Sequence, residues 1–439
     1  MIHRTVLEWN RLPYGDGEDR IPLDAARKIS TVAKGSKLGG DGGSRILSLG
    51  LSELKAAQVV GVIAAEGCSL EILPKIDVRD GTAGLASIRR RLIHMLMVAL
   101  GLEIDDGALT KLGWQQNDLL EILIRLFSRK LADTLRRGMP RRYIAREEDL
   151  PTLRGSLQPT RQFTVLAGRA EKLACRFDSL SPDISLNQIM KAAVSTLMRV
   201  SRSAENQRLL RELSFAYSDI SEIPVSALQW NEIHLDRSNA SWRDLISLAK
   251  LLLAGRYQTT SVSEGKGFSL LFEMNTLFEE YVARMMTRAL SGTDFVVHAQ
   301  SGRLFCLEEV GTSAKAFMTK PDIIIKRSGA VELVIDTKWK RLSGRIDDPK
   351  QGVSQTDVYQ MMAYGRVYKS PELMLLYPHH AELKKSEGVM SRHLIVGSDA
   401  HLNTATVDVS TSDNIITRLR ALGAIKSMST GALETSPAI

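Results

Sequence analysis

Cysteine is scarce in this chain of 439 residues: there are three, Cys68, Cys175 and Cys306, widely separated and with no C-x-x-C pair. That spacing excludes a zinc ribbon and a disulfide framework, and reads as buried thiols in a reducing cytoplasm. Long apolar runs are also missing. None approaches the roughly 18 residues that a membrane-spanning helix needs, and the N-terminus shows neither the basic nor the apolar region of a secretion signal. Membrane insertion and secretion are not expected. Nor does any G-x-x-x-x-G-K-[ST] sequence occur, even around Gly265-Lys266, so a P-loop motor is not expected of the chain on its own. Acidic residues are outnumbered, 50 Asp and Glu against 58 Lys and Arg, for a formal net charge of +8. Such an excess suits a polyanionic partner such as DNA, by attraction that is not specific to one ligand.

A chain of this length exceeds what one core organises, so several domains are expected. Residues 1–78 read as a small α+β module, with strands at Arg4–Trp9 and Leu70–Ile76 and a helix over Ser52–Ala65. The glycine-rich stretch around Gly35–Gly43 lacks the lysine followed by Ser or Thr of a phosphate cradle, and a loop is expected there. Residues 79–262 read as helix-rich, with helices over Leu85–Leu100, Asp118–Arg137, Asn187–Ser201 and Ser241–Ala254. The second is stopped by Gly138 and Pro140. Basic residues dominate Arg125–Arg146, a run that suits a DNA backbone, an acidic protein surface or a solvated helix face. The boundary falls at Gln258–Gly267, where TTSVSEGKG loses its apolar pattern ahead of a helix from Phe268. A C-terminal domain of residues 263–426 follows, and residues 427–439 read as a disordered tail.

The chemistry concentrates in KPDIIIKRSGAVELVIDTKWK. Ile323–Ile325 and Val331–Ile335 are strand-like runs with Ser328-Gly329 between them, which predicts a hairpin. Pairing centred on that turn sets Asp322 roughly opposite Asp336. Side chains alternate along a strand, so Asp336 and Lys338 share a face while Thr337 points away. Two close carboxylates repel unless a cation lies between them, and oxygen ligands of this kind suit Mg²⁺, with Mn²⁺ as a substitute. A bound divalent ion activates water and neutralises charge on phosphorus, and Lys338 orients or deprotonates that water, which is the chemistry of phosphodiester hydrolysis. The bland alternative is a hairpin with a solvated aspartate and a charged end at Lys338, Lys340 and Arg341. Against it, Asp336 ends a long apolar run, where a carboxylate needs a partner or a metal.

Two helices flank the hairpin. LLFEMNTLFEEYVARMM places Leu271, Met274, Phe278, Tyr281, Val282 and Met285 on one buried stripe, with Glu279 beside it as a further ligand or as a solvated glutamate. After a break at Pro349–Gly352, VSQTDVYQMMAYGRVY places Asp357, Gln360 and Tyr364 on one face. Gln360 can bond a phosphate or a metal-bound water with Tyr364 bracing it, or the helix is simply amphipathic. His379-His380 follows the LLYP strand and reads as a solvated pair, not as ligands.

The order of Glu279, Asp322, Asp336-x-Lys338 and Gln360-x-x-x-Tyr364 resembles a PD-(D/E)xK nuclease core. More narrowly, FEMNTLFEEYV, KPDIII, DTKWK and LLYP, together with VLEWNRLPYG, LEILPKI, LPTLRGSL and CRFDSLSPDISLNQIMKAA, resemble the McrC family, the nuclease subunits of modification-dependent McrBC restriction systems. The resemblance runs over most of the chain. It implies a mixed α+β and α/β fold, with an α+β partner-binding N-terminal half, a helical middle and a C-terminal restriction-endonuclease-like core whose mixed sheet is flanked by helices. It implies Asp322, Asp336, Lys338 and Glu279 as catalytic residues, the three carboxylates as metal ligands, and Gln360 and Tyr364 in support at the DNA. The partner it implies is a hexameric AAA+ GTPase of the McrB kind, which the N-terminal half stimulates and which itself recognises methylated double-stranded DNA. No nucleotide site in this chain is implied. Two other readings stand beside it: an adaptor that regulates the motor without cutting, and an autonomous nuclease.

Overall fold

The computed structural model describes residues 2–36, 38, 46–75, 84–102, 118–237, 239–254, 267–343, 352–380, 382, 383, 385–409 and 414–424. Most of the glycine-rich stretch, the expected boundary over Gln258–Lys266, Pro349 and the tail from Ser427 lie outside them. The described residues within 1–119 and 257–439 form one compact unit, and those within 120–256 form a second.

The first unit opens with β1 (Ile2–Leu7), β2 (Arg11–Pro13), α1 (Leu23–Lys34), β3 (Leu47–Leu49), β4 (Glu53–Ala56), β5 (Val59–Ala65), β6 (Cys68–Leu73) and α2 (Leu85–Ala99). Strands β2, β4 and β3 make a small antiparallel sheet. Helix α1 packs Ala26, Ile29, Val32 and Ala33 into a core shared with Ile63, Leu70 and Ile72. The helix expected over Ser52–Ala65 is instead two strands, β4 and β5, which belong to different sheets. Every residue of β5 is buried, because the strand lies inside its sheet. A short, continuously apolar run carries no alternation to tell strand from helix; the β-branched Val59, Val60, Val62 and Ile63 favour the strand.

The second unit contains α3 (from Leu119 to Leu135), β7 (Arg142–Leu150), β8 (Ser156–Leu157), α4 (Pro159–Thr164), β9 (Leu173–Ser181), α5 (Ser185–Val200), α6 (Ala204–Ala216) and α7 (Arg243–Ala254). The expected helices are present at nearly their predicted bounds. Strands β7 and β9 form a long antiparallel ribbon extended by β8. Within the basic run, Arg125 is buried and ion-paired with Glu205, Arg129 reaches the same carboxylate at 2.9 Å, and Lys130 meets Asp244 at 2.6 Å.

The chain then returns to the first unit with β10 (Phe268–Glu273), α8 (Met274–Ala289), β11 (Phe295–Ala299), β12 (Phe305–Glu308), β13 (Lys315–Met318), β14 (Ile323–Arg327), β15 (Ala330–Thr337), α9 (Gln355–Tyr368), β16 (Glu372–Pro378), β17 (Gly388–Leu394), β18 (His401–Val407) and α10 (Ile415–Gly423). The helix expected from Phe268 begins only at Met274. Phe268–Glu273 is drawn into a sheet of order β1-β6-β5-β10 by antiparallel pairing with β5, a partner some two hundred residues away that no local pattern reveals. The two backbones meet closely at Gly61, whose φ is +136° and where a Cβ would stand 1.9 Å from the Leu270 carbonyl oxygen. A mixed sheet of order β11-β14-β15-β16-β18-β17 forms the centre of the C-terminal part: β15, β16 and β18 are parallel, and β11, β14 and β17 antiparallel. Helix α9 covers β15 and β16, and α8 packs against α2 and α10. Cys68 and Cys175 are buried as expected, whereas Cys306, on the exposed strand β12, is open to solvent. No described helix is long and apolar enough to cross a membrane.

Candidate active site

The hairpin of β14 and β15 turns at Ser328 and Gly329, both with positive φ (49° and 85°), the combination that a two-residue type I′ turn requires. From that turn Arg327 pairs with Ala330, and an unbroken ladder would set Asp322 opposite Ile335. The ladder is broken. Ile325 pairs with Leu333 while Lys326 pairs with Val331, so Glu332 is an extra residue in β15, and beyond it Ile323 faces Ile335. Continued one position outward, beyond the start of β14, that register sets Asp322 opposite Asp336. Since a one-residue slip exchanges the faces of a strand, this bulge is what gives the two carboxylates a common face.

Asp336 is 2% exposed at the end of the buried part of β15. Asp322 is partly exposed, and its Oδ2 accepts hydrogen bonds from the Thr337 N–H at 2.7 Å and the Thr337 hydroxyl at 2.9 Å. Thr337 therefore does not simply point away, as strand alternation suggested; its hydroxyl fixes the first carboxylate. Burial, with the charges of Asp336 and Glu279, pushes the Asp322 carboxyl up to about 7 against the two Thr337 bonds that favour its ionised form. Burial also raises Asp336, against the ammonium of Lys338.

Lys338 Nζ lies 2.6 Å from Asp336 Oδ2, 3.7 Å from Asp357 Oδ1 and 3.4 Å from Gln360 Oε1. Burial works against its charge, but Asp336, Asp357 and Asp322 outweigh that and keep it an ammonium. Gln360 in turn donates from Nε2 to the Tyr364 hydroxyl oxygen at 2.7 Å. The helical stripe of Asp357, Gln360 and Tyr364 thus faces the hairpin. Glu279, half-buried on α8, is raised by burial and by the charges of Glu280 and Asp336, with Lys320 opposing. The structure brings all six residues singled out in the sequence into one region.

Asp357 is the residue the sequence underplayed. It lies on the same helical face as Gln360, is buried, and is shared by Lys338 and Lys340, the latter at 3.3 Å. Its position three residues before Gln360 was the available signal. Trp339 was missed as well: it is buried, and every group that holds it is distant in sequence. His380, expected to be solvated, is buried and hydrogen-bonded through Nε2 to the Leu342 carbonyl at 3.0 Å. It caps the loop after β15, a contact made by packing and not by sequence neighbours.

Among the described residues no group of three or more His, Cys, Asp and Glu stands ready to enclose a metal ion. What is present is an open pair, Asp322 and Asp336, with Glu279 close enough for its charge to be felt by Asp322. A carboxylate raised by burial and by the charges of Asp336 and Glu279, as Asp322 is, fits a hard cation that takes one or two carboxylates and completes its shell with water and phosphate oxygens. The donor set fits Mg²⁺ in that way.

No curated protein matches the chain in sequence. Among solved structures, it is similar over 96% of its length to 99% of a chain in the refined half-complex from a tetradecameric assembly of Thermococcus gammatolerans McrB AAA+ hexamers with bound McrC, at a TM-score of 0.71 and 22% identity. It also resembles a chain of the Thermococcus gammatolerans McrBC complex at a TM-score of 0.53 and 25% identity, over 66% of this chain and 88% of that one. Residues 54–378 match the family described as McrBC 5-methylcytosine restriction system component, and the chain belongs to that family.

Proposed function

We propose that this chain is an McrC-type DNA endonuclease subunit. In this reading residues 263–426 are a PD-(D/E)xK core that hydrolyses phosphodiester bonds with Mg²⁺, or Mn²⁺ in its place. The rest of the chain docks on and stimulates an AAA+ GTPase that recognises and moves methylated double-stranded DNA in the cytoplasm. The observation that carries the reading is Asp322 opposite Asp336, with the Lys338 ammonium 2.6 Å from the second carboxylate. Family membership supports it, as does the likeness to a chain from an assembly described as McrB AAA+ hexamers with bound McrC.

Asp322, Asp336 and Glu279 would hold the cation, which when bound lowers the pKa of a water and neutralises charge on the phosphoryl oxygens. The Thr337 N–H and hydroxyl hold Asp322 in place for it. Lys338, held by Asp336 and Gln360 with Asp357 at 3.7 Å, presents its remaining N–H to the attacking water or the phosphate, where charge grows in the transition state. Gln360 and Tyr364 keep that ammonium aimed and offer polar contacts to the DNA strand.

The test is cleavage of methylated and unmethylated plasmid by the purified chain with Mg²⁺, with and without its AAA+ partner and GTP. Cutting of methylated DNA in the full mixture is expected, reduced at least about 100-fold in Asp336→Ala and Lys338→Ala, with partner binding and GTPase stimulation retained. GTPase stimulation without any cutting would make the chain an adaptor, and full-rate cutting by the chain alone an autonomous nuclease.

A further inference from the structure

Strand β15 ends at Thr337, and one further bond of the sheet reaches Lys338. One side of the lysine is pinned, because its backbone N–H donates to the Leu376 carbonyl at 2.9 Å. The other side is Trp339, which is held entirely from outside the sheet. Its indole N–H donates to Glu8 Oε1 at 2.9 Å. Its backbone N–H donates to Asn275 Oδ1 and its carbonyl accepts from Gln58 Nε2, each at 3.2 Å. Gln58 Nε2 also donates to Asn275 Oδ1 at 3.2 Å, which closes the group, and the ring of Phe278 packs on the indole at 5.3 Å between centroids.

Glu8 follows β1 and is 2% exposed. Its Oε1 accepts from the Lys75 backbone N–H at 3.0 Å as well as from the indole, and its own N–H donates to Leu73 at 2.8 Å. Its Oε2 is buried without a hydrogen-bond partner among the described residues. Burying an acid with one oxygen unpaired is unfavourable, and the two bonds that Oε1 accepts offset that cost.

We propose that Glu8, Gln58 and Asn275 are positioning residues for the cleavage reaction. They clamp Trp339, and through its peptide they fix the direction in which Lys338 carries its ammonium to Asp336. The inference rests on the nuclease reading above. It makes the N-terminal sheet a structural part of the cleavage site, since Glu8 and Gln58 both come from it or its turns.

Glu8→Ala, Glu8→Gln and Trp339→Phe would be compared in the full chain assembled with its AAA+ partner, beside Asp336→Ala. Misplacement of a catalytic group by about 1 Å costs on the order of 100-fold. Glu8→Ala and Trp339→Phe are therefore expected to lower the cleavage rate at saturating DNA by about 10- to 100-fold, with half-saturation by DNA and GTPase stimulation unchanged. Glu8→Gln keeps a carbonyl acceptor for the indole N–H and is expected to restore most of the rate. Independently of activity, hydrogen exchange of the 336–342 peptide should quicken in Glu8→Ala and Trp339→Phe and return towards wild type in Glu8→Gln. Unchanged exchange together with unchanged cleavage overturns the clamp, and a parallel fall in melting temperature, GTPase stimulation and cleavage reduces it to general structure. A wild-type assembly that cuts no better than Asp336→Ala overturns the nuclease reading and the positioning role with it, while the exchange data still report whether the clamp exists.

Discussion

Lys338 and Asp357 approach to 3.7 Å where the end of β15 meets α9. Asp357 thereby serves two lysines, with Lys340 at 3.3 Å, while Asp336 is ion-paired with Lys338 at 2.6 Å. Asp357→Asn removes that second anchor and leaves Lys338 on Asp336 and Gln360. Cleavage in the full assembly should fall by about 10-fold, less than for loss of a group that acts directly in proton transfer, which costs roughly 100- to 10,000-fold. Single-turnover plasmid cutting measures the difference; a loss as large as that of Asp336→Ala would place Asp357 among the metal ligands instead.

Glu332 lets a hairpin with an extra residue in one strand still oppose Asp322 and Asp336. Deleting it converts the bulged ladder into a regular one with every other pair retained. The variant should fold and should keep cleavage within roughly 10-fold of wild type, because the cross-strand pairs of the hairpin, Asp322 against Asp336 included, survive the deletion. Insertion of an alanine after Leu333 displaces Asp336 to the opposite face instead, and cutting should be lost. Loss of cutting in the deletion with the melting temperature preserved would mean that Glu332 itself acts in the site.

His380 predicts a pH dependence of stability. Burial lowers its pKa below the usual value of 6.5, aided by the charges of Arg341 and His379 and opposed by the Leu342 carbonyl and Glu382. The unfolded chain then binds a proton that the folded chain does not, so stability attributable to this residue is intact above about pH 6.5 and declines as pH falls below it. His380→Gln keeps a donor for Leu342 and removes the titration. Thermal melting from pH 7.5 to 5.5 should show a shallower acid decline in the variant; equal slopes would place the titration elsewhere.

The hairpin and the helical stripe of Asp357, Gln360 and Tyr364 were legible because each is local. A two-residue turn between β-branched runs and a three- and four-residue spacing are properties of adjacent residues, and they name the carboxylates and the lysine without reference to the rest of the chain. Strands β4, β5 and β10 were not legible, since a continuously apolar run becomes a strand only when a distant partner accepts its hydrogen bonds, as β5 and β10 do for each other. The exposure of Cys306 and the burial of His380 escaped for the same reason.

By itself the sequence determined which residue types could carry the chemistry and the order in which the chain presents them. Tertiary structure decided their geometry: the bulge at Glu332 that sets Asp322 against Asp336, the ion pairs that anchor Lys338, and the grip of Glu8, Gln58 and Asn275 on Trp339. These depend on register and on contacts between residues up to several hundred positions apart, and burial makes such contacts specific because a buried polar group must find its partner wherever the fold supplies one.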